Sequence, residues 1–169
     1  MLNSRTLFPG LFLIFFLLSC DVQQPEDHSG SFSEMLTELD DAIQLFVNGE
    51  PESFKNMWLH SRDVTISGGL GGLIEKGWDE LGSRLDMVSG MYGENDAAYF
   101  ETEPVRYNVE GRTGYLIQHE RIRIENEADN EVIHRNYRTT MIFIYQHGEW
   151  KITHRHADLH TVQEESLGE

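Results

Sequence analysis

The sequence predicts an α+β domain in which helices come first and a long antiparallel β-sheet follows. Three segments with apolar residues at helical spacing occupy residues 31–93. Four β-patterned runs come next, at about 97–110, 113–126, 131–146 and 149–160, joined by turns short enough for antiparallel hairpins. We therefore expect a curved antiparallel sheet that wraps around the helices.

Local signals place the ends of the first two helices. Ser31 and Glu34 have the spacing of a capping box, and Gly49 stops the apolar repeat that follows them. Pro51 favours the start of a short second helix. The side chains expected to face inward from this helix are Phe54, Met57 and Trp58.

A short strand, a glycine-rich stretch and a third helix follow in that order. Residues 64–67 have a β-pattern, and residues 77–93 have the spacing of an amphipathic helix. Between them, residues 68–72 read Gly-Gly-Leu-Gly-Gly, without the Lys and Ser or Thr of a phosphate-binding loop. We expect these glycines to let the chain turn tightly beside a pocket mouth.

Along the last β-run, residues 149–160, apolar side chains give way to ionisable ones. Because strand side chains alternate between two faces, one face should carry Trp150, Ile152, His154, His156 and Asp158. Such a face begins as core and ends in two imidazoles and a carboxylate, as the floor of a half-buried pocket requires. Arg138 and Thr140 are expected on this same face, one strand away.

These residues carry a resemblance to a known family. The strand Arg138-Thr139-Thr140, the pattern Trp-x-Ile-x-His-x-His-x-Asp over residues 150–158 and the helix start Lys76-Gly77-Trp78 resemble the SnoaL-like branch of the NTF2-like superfamily. That branch includes relatives of the calcium/calmodulin-dependent kinase II association domain. The similarity extends over residues 33–160 and implies a cone-shaped α+β barrel, often dimeric. Its pocket is an active site in some members and holds ligands or partners in others.

His154, His156 and Asp158 are the candidate catalytic residues. An imidazole oriented by a carboxylate can take up and return protons near neutral pH, which suits a cyclase, isomerase or dehydratase without an organic cofactor. The same side chains could instead be partly buried polar residues that fix the sheet. With His160 they also have the alternating spacing of a metal site on one strand, although we expect no metal.

Ligand binding in the cone is the first functional hypothesis, with a small anionic or carbonyl-bearing molecule as the ligand. The candidate ligand-binding residues are Arg138, Thr140, Trp58, Trp78 and Tyr115. We expect Trp58 or Trp78 to touch the pocket, because the mouth of such a cone is commonly aromatic.

A third hypothesis, an assembly or docking role, concerns the open face of the sheet. His119, Arg121 and Arg123 share one strand face, and Glu120 shares the other with apolar neighbours. The charged face should therefore be exposed to solvent or form a dimer surface. We expect a homodimer.

The N-terminus has the outline of a bacterial lipoprotein signal. An apolar run within residues 1–19 ends at Leu-Leu-Ser before Cys20, the single cysteine of the chain. A lipidated Cys20 with a polar tether over residues 20–31 would hold the domain, residues 32–160, at the cell envelope. An acidic tail, residues 161–169, would complete the chain. The domain would then face the periplasm or the exterior, with the lipid as its membrane contact.

The charge of the chain excludes one class of partner. The sequence has 29 Asp and Glu against 13 Lys and Arg, a formal net charge of −16. Such a surface repels phosphate backbones, so nucleic-acid binding is not expected.

Overall fold

The computed structural model describes residues 27–69, 73–95, 97–126 and 131–160. The helices there are α1 (Ser29–Phe46), α2 (Glu52–Asn56) and α3 (Trp78–Gly93). The strands are β1 (Thr65–Gly68), β2 (Glu75–Lys76), β3 (Ala97–Glu110), β4 (Thr113–Asn126), β5 (Glu131–Gln146) and β6 (Glu149–Leu159). The predicted α+β class is confirmed. Cys20, the predicted leader and the predicted tail lie outside the described residues.

The start of α1 differs from the prediction. The helix begins at Ser29, two residues before Ser31, and no side chain caps it at His28. The Ser31 hydroxyl donates a hydrogen bond to the carbonyl of His28 at 3.0 Å and accepts one from Trp150 Nε1 at 3.1 Å. The capping-box prediction is therefore wrong, because Ser31 joins the helix to β6 instead.

The described strands form one mixed sheet in the order β2-β1-β6-β5-β4-β3. The four long strands form the expected antiparallel meander, with ends within one residue of the predicted ones. The short strand β1 was predicted, but its parallel pairing with β6 was not. This pairing adds β1, and β2 beyond it, to the β6 side of the meander.

The inner face of the sheet, which α1 and α3 cover, carries the core. Fully buried side chains there include Leu116, Met141, Phe143 and Ile152, which alternate with exposed neighbours. α1 comes closest to the sheet at Gly114, where an added Cβ would lie 2.5 Å from the ring of Phe32. The outer face has no helix of the described chain packed on it and is partly exposed.

The free edge of β3 is covered by two amide side chains of α1. Gln44 donates to the carbonyl of Ala98 at 2.8 Å and accepts from the N–H of Phe100 at 2.8 Å. Asn48 makes the equivalent pair with the N–H and carbonyl of Ala98. Unpaired strand edges invite association with other chains, so these contacts protect this end of the edge.

No helix in the described residues is long and apolar enough to cross a membrane.

Candidate functional site

A conical cavity lies between the helices and the inner face of the sheet. Its volume is about 70 Å³. Apolar side chains make up most of its wall, among them Ile43, Phe46, Phe54, Ile66, Leu85 and Ile122. Gly68 and Gly69 also line it, as expected of the glycine-rich stretch, whose residues 70–72 lie outside the described part of the chain.

A buried ion pair forms the polar floor of this cavity. Arg155 Nη2 on β6 lies 2.5 Å from Glu120 Oε2 on β4, and the Glu120 side chain is 1% exposed. Gln118 Nε2 donates to the other carboxylate oxygen of Glu120 at 3.1 Å. Both oxygens of the carboxylate are thus hydrogen-bonded, which a buried charge requires.

One buried polar atom of this floor has no hydrogen-bond partner within the described chain. It is the Nε of Arg155, which lines the cavity. The Oγ1 of Thr139 is also unpaired, on the same sheet face between Gln118 and Ala157, but Thr139 is not among the residues that line the cavity. Buried polar atoms are normally paired, so the Arg155 Nε is suited to hydrogen-bond a small polar molecule in the cavity.

Arg84 of α3 supplies a second cation to the cavity wall. Its guanidinium pairs with Glu75 of β2 and donates to the carbonyl of Gly68 at 2.8 Å. These contacts join α3 to β1 and β2. The charged side chains that line the cavity in the described residues are Arg84, Arg155 and Glu120, and each of the two arginines is paired with a carboxylate, Glu75 or Glu120.

Two tyrosines complete the polar groups of the cavity. Tyr92 of α3 and Tyr137 of β5 line it on the side of the β4–β5 turn. Burial raises the pKa of Tyr92 to about 12, so its hydroxyl stays protonated and can donate near neutral pH.

The prediction that His154, His156 and Asp158 face the cavity is wrong, because β6 contains a bulge. Ile142 pairs with His154 and Phe143 pairs with Ile152, so Thr153 is an extra residue. From His154 onward the parity of the strand is reversed. Arg155 and Ala157 take the inner face, and the predicted catalytic residues lie on the outer face: His154, His156 and Asp158.

Arg138 and Thr140 do share the face of the histidines, as predicted, but that face is the outer one. Arg138 pairs with Asp158, and both side chains are about half exposed. Thr140 lies opposite His156 in the strand register. This group faces away from the cone.

His154 is partly buried beside β1. Its Nδ1 lies 2.7 Å from the hydroxyl oxygen of Thr65. Burial, with a smaller contribution from the neighbouring His156, lowers the pKa of His154. A lowered pKa favours the neutral imidazole, which suits a hydrogen bond within the sheet.

The predicted aromatic ligand residues also lie outside the cavity. Trp58 is fully buried against Phe54, Trp78 stacks on His60 at 3.6 Å between ring centres, and Tyr115 is on the outer face. In the described residues, no three His, Cys, Asp or Glu side chains are grouped to hold a metal ion.

The sequence analysis did not identify Glu120 and Arg155 as site residues, although the inward position of Glu120 was readable from the strand pattern. Glu120 was placed by parity on the same face as Ile122 and Ile124, and the outward placement of Arg121 and Arg123 is confirmed. A carboxylate at an inward strand position is a site signal. Arg155 gave no such signal, because its orientation depends on the bulge.

Comparisons with known proteins support the fold. No family model matches the sequence, and no curated protein is significantly similar to it. An NTF2-like superfamily protein from Salmonella enterica superposes with a TM-score of 0.64 at 14% identity, covering 83% of this chain and 99% of its own. A candidate scytalone dehydratase from Novosphingobium aromaticivorans gives 0.65 at 10% identity, covering 82% and 90%.

A third similar structure comes from the branch that the sequence resembles. It is a candidate calcium/calmodulin-dependent protein kinase type II association domain from Thiobacillus denitrificans, with a TM-score of 0.59 at 12% identity. It covers 76% of this chain and 94% of its own. The fold is therefore NTF2-like, as predicted, and such distant similarity establishes the fold alone.

Proposed function

We propose that this chain binds a small anionic or carbonyl-bearing molecule in its conical cavity, with Arg155 as the group that contacts it. The observation that carries the proposal is the unpaired, buried Nε of Arg155 at the polar floor of an apolar cavity. Convergent polar groups in an apolar pocket are typical of ligand sites. The free N–H donor of the Arg155 guanidinium favours a ligand with an acceptor oxygen, as an anion or a carbonyl compound has.

The size of the cavity limits the part of the ligand that can be enclosed. A cavity of about 150 Å³ holds a benzene ring, whereas this one has about 70 Å³. On that scale it encloses about three non-hydrogen atoms, the size of a carboxylate or ketone group, so the rest of the ligand would extend beyond it. A polycyclic ligand would require the helices to move away from the sheet.

Pyruvate, which has both a carboxylate and a ketone, is a suitable probe for this proposal. We expect saturation-transfer NMR to detect pyruvate on the wild-type chain and to lose that signal in Arg155→Gln. The double variant Glu120→Gln with Arg155→Gln also lacks the cation but leaves no buried charge unpaired. Arg138→Gln, which removes an outer-face guanidinium, is the control and should bind normally.

An equal pyruvate signal in the wild-type chain and in both Arg155 variants would contradict the proposal. If the wild-type chain gives no signal with pyruvate, acetate or hydroxyacetone, the proposed ligand class is wrong.

Acid–base catalysis is a second candidate, favoured by the position of Glu120 beside the cavity. In D₂O, a carboxylate that takes a proton from the methyl group of pyruvate and returns a deuteron would deplete the methyl signal. Depletion by the wild-type chain but not by Glu120→Gln would favour a cyclase, isomerase or dehydratase type of enzyme. Binding without depletion would favour a binding protein.

We also propose that the outer face of the sheet forms a homodimer. Tyr115 pairs with Ile142 in the register, and Ile117 lies diagonally beside them. All three side chains are more than a third exposed, and together they form an apolar patch. We expect Ile117→Lys to shift the mass in light scattering from dimer to monomer, whereas Val105→Lys at the β3 edge should not. A monomeric wild-type chain would contradict this proposal.

The location of the protein is proposed from the sequence alone. Acylation of Cys20 would hold the domain at the bacterial cell envelope. Metabolic labelling with an alkyne-tagged fatty acid should mark the wild-type chain and not Cys20→Ala. Equal labelling of both would contradict a lipid anchor at this residue.

A further inference from the structure

A second cavity lies beside the conical one, between the end of α3 and the far ends of β4 and β5. Its volume is about 190 Å³. Four apolar side chains line it together with Tyr92 and Asn95: Val88, Met91, Ile124 and Ile133. One charged side chain lines it in the described residues, Arg135 of β5.

Arg135 has no carboxylate partner in the described residues. Its Nη1 lies 3.4 Å from the hydroxyl of Tyr92, and its guanidinium carbon is 5.3 Å from the centre of the Tyr92 ring. The hydroxyl of Tyr137 is a second neighbouring acceptor. Six other arginines of the described residues do pair with carboxylates: Arg62, Arg84, Arg121, Arg123, Arg138 and Arg155.

A half-buried cation without a carboxylate is unexpected in a chain with a net charge of −16. Acidic side chains outnumber basic ones by more than two to one, yet none compensates Arg135. A phenol hydroxyl at 3.4 Å is a weak acceptor for a guanidinium, which has five N–H donors. Most of the hydrogen-bonding capacity of Arg135 is therefore left for another acceptor.

We propose that this second cavity binds a small carboxylate with an apolar body, whose carboxylate pairs with Arg135. The apolar body contacts Val88, Met91, Ile124 and Ile133. Scaling from the 150 Å³ cavity that holds benzene, 190 Å³ encloses about seven or eight non-hydrogen atoms. The ring of a para-substituted benzoate or the chain of a short fatty acid has this size. The carboxylate then lies at the wall beside Arg135, where it can form paired hydrogen bonds with the guanidinium.

This site is distinct from the conical cavity, although the two share a wall. Val88 and Tyr92 line both cavities, while Arg135 lines the second and Arg155 the first. The second site therefore does not depend on pyruvate-sized ligands in the conical cavity. Its ligand is larger, because the cavity is larger, and its one charged lining residue in the described chain is a cation, Arg135.

The probe for this site is 4-fluorobenzoate, observed by fluorine NMR on the full-length chain. We expect its line to broaden with the wild-type chain and the fitted affinity to fall about tenfold or more in Arg135→Gln. This follows because a charge-assisted hydrogen bond contributes about 1.5–3 kcal/mol. The neutral analogue 4-fluorobenzyl alcohol should bind the wild-type chain correspondingly more weakly.

Arg138→Gln is the matched control, since Arg138 is on the same strand but on the outer face. It should bind the probe as the wild-type chain does. Met91→Trp, which places a larger side chain into the cavity from α3, should block binding while Arg135 is unchanged. The two wild-type measurements keep the proposal testable even if a variant fails to fold.

Three results would overturn the proposal. One is no broadening of 4-fluorobenzoate by the wild-type chain, and another is equal binding of the acid and the alcohol. The third is a loss of binding in Arg155→Gln with none in Arg135→Gln, which would place the probe in the conical cavity. Failure of pyruvate to bind would leave this second site unaffected, so the two proposals fail separately.

Discussion

Two arginine–carboxylate pairs lie on opposite faces of the same sheet, and their surroundings differ. Arg155 and Glu120 on the inner face are 14% and 1% exposed, whereas Arg138 and Asp158 on the outer face are 58% and 45% exposed. Water solvates the outer pair whether or not the two side chains touch. The inner pair has no such alternative, so its charges must be compensated by protein or by ligand. The chemical groups are the same, but only the inner pair is suited to a binding site.

Insertion of one alanine between His154 and Arg155 is expected to have the largest effect on this difference. His154 would stay opposite Ile142, but the inserted residue would take the inward position opposite Met141, and the parity of β6 after it would reverse. Arg155 would then point to solvent. Because the insertion leaves Glu120 without its partner, we expect a loss of more than about 5 kcal/mol in the free energy of unfolding.

Urea unfolding followed by tryptophan fluorescence measures this loss. Deletion of Thr153 is the control and should cost much less, because it removes the extra residue but leaves Ile152 opposite Phe143 and His154 opposite Ile142, so that Arg155 stays on the inner face. An insertion variant as stable as the deletion variant would show that the register after His154 does not determine which residues face the cone.

Breaking the inner ion pair should lower the free energy of unfolding much more than breaking the outer one. Arg155→Gln should lower the free energy of unfolding by about 3–5 kcal/mol, because the Glu120 charge stays buried without a partner. Arg138→Gln should cost less than about 1 kcal/mol. The double variant with Glu120→Gln should recover part of the loss, because it removes the uncompensated charge.

Urea unfolding of these variants gives the coupling free energy between Glu120 and Arg155 as a double-mutant cycle. Equal losses from Arg155→Gln and Arg138→Gln would contradict the difference in burial between the two faces.

Packing provides a smaller test of the inner face. Gly114→Ala adds a methyl group 2.5 Å from the ring of Phe32, so we expect a loss of about 1–3 kcal/mol. Gly90→Ala is the matched control, since its added methyl would have nothing within 4 Å. That change should stabilise α3 by about 0.5–1 kcal/mol. Thermal melting of the two variants should therefore give shifts of opposite sign.

The smallest expected effect is the pH dependence of stability that His154 on the outer face produces. The folded pKa of His154 is below its ordinary value near 6.5, because burial and His156 oppose its charge. Between these two pKa values the unfolded chain binds more protons than the folded one, so stability is lost as the pH falls. Above about pH 6.5 this loss is absent.

Unfolding measured between pH 5 and pH 7 should show a shallower slope in His154→Gln than in the wild-type chain. In His156→Gln the slope should decrease less, because the burial of His154 is retained. An unchanged slope in His154→Gln would mean that its pKa is the same in the folded and unfolded chains.

The strands were predictable from the sequence because alternation is a local property. The sequence also placed Arg121 and Arg123 on the open face and Glu120 on the face of Ile122, as the structure confirms. An alternation predicts faces only while pairing stays regular. Thr153 interrupts the pairing without any glycine or proline to indicate it, so His154 and the residues after it were assigned to the wrong face.

The cavity itself could not be predicted from local patterns. Arg155 meets Glu120 across β5, 35 positions apart in the chain, and Arg84 reaches the carbonyl of Gly68 from α3. Such contacts depend on how the whole sheet curls, which strand patterns do not contain. The parallel pairing of β1 with β6 was missed for the same reason, since a four-residue strand carries no information about its partner.

The parallel contact between β1 and β6 has a consequence for the order of folding. Three hairpins connect the long strands and can close through short turns, whereas Thr65 and His154 meet across 89 positions. Closing so long a loop costs more chain entropy than closing a turn, so we expect the meander to form before β1 docks. Because β1 contributes Ile66 and Gly68 to the wall of the conical cavity, that wall would be completed only in the last step of folding.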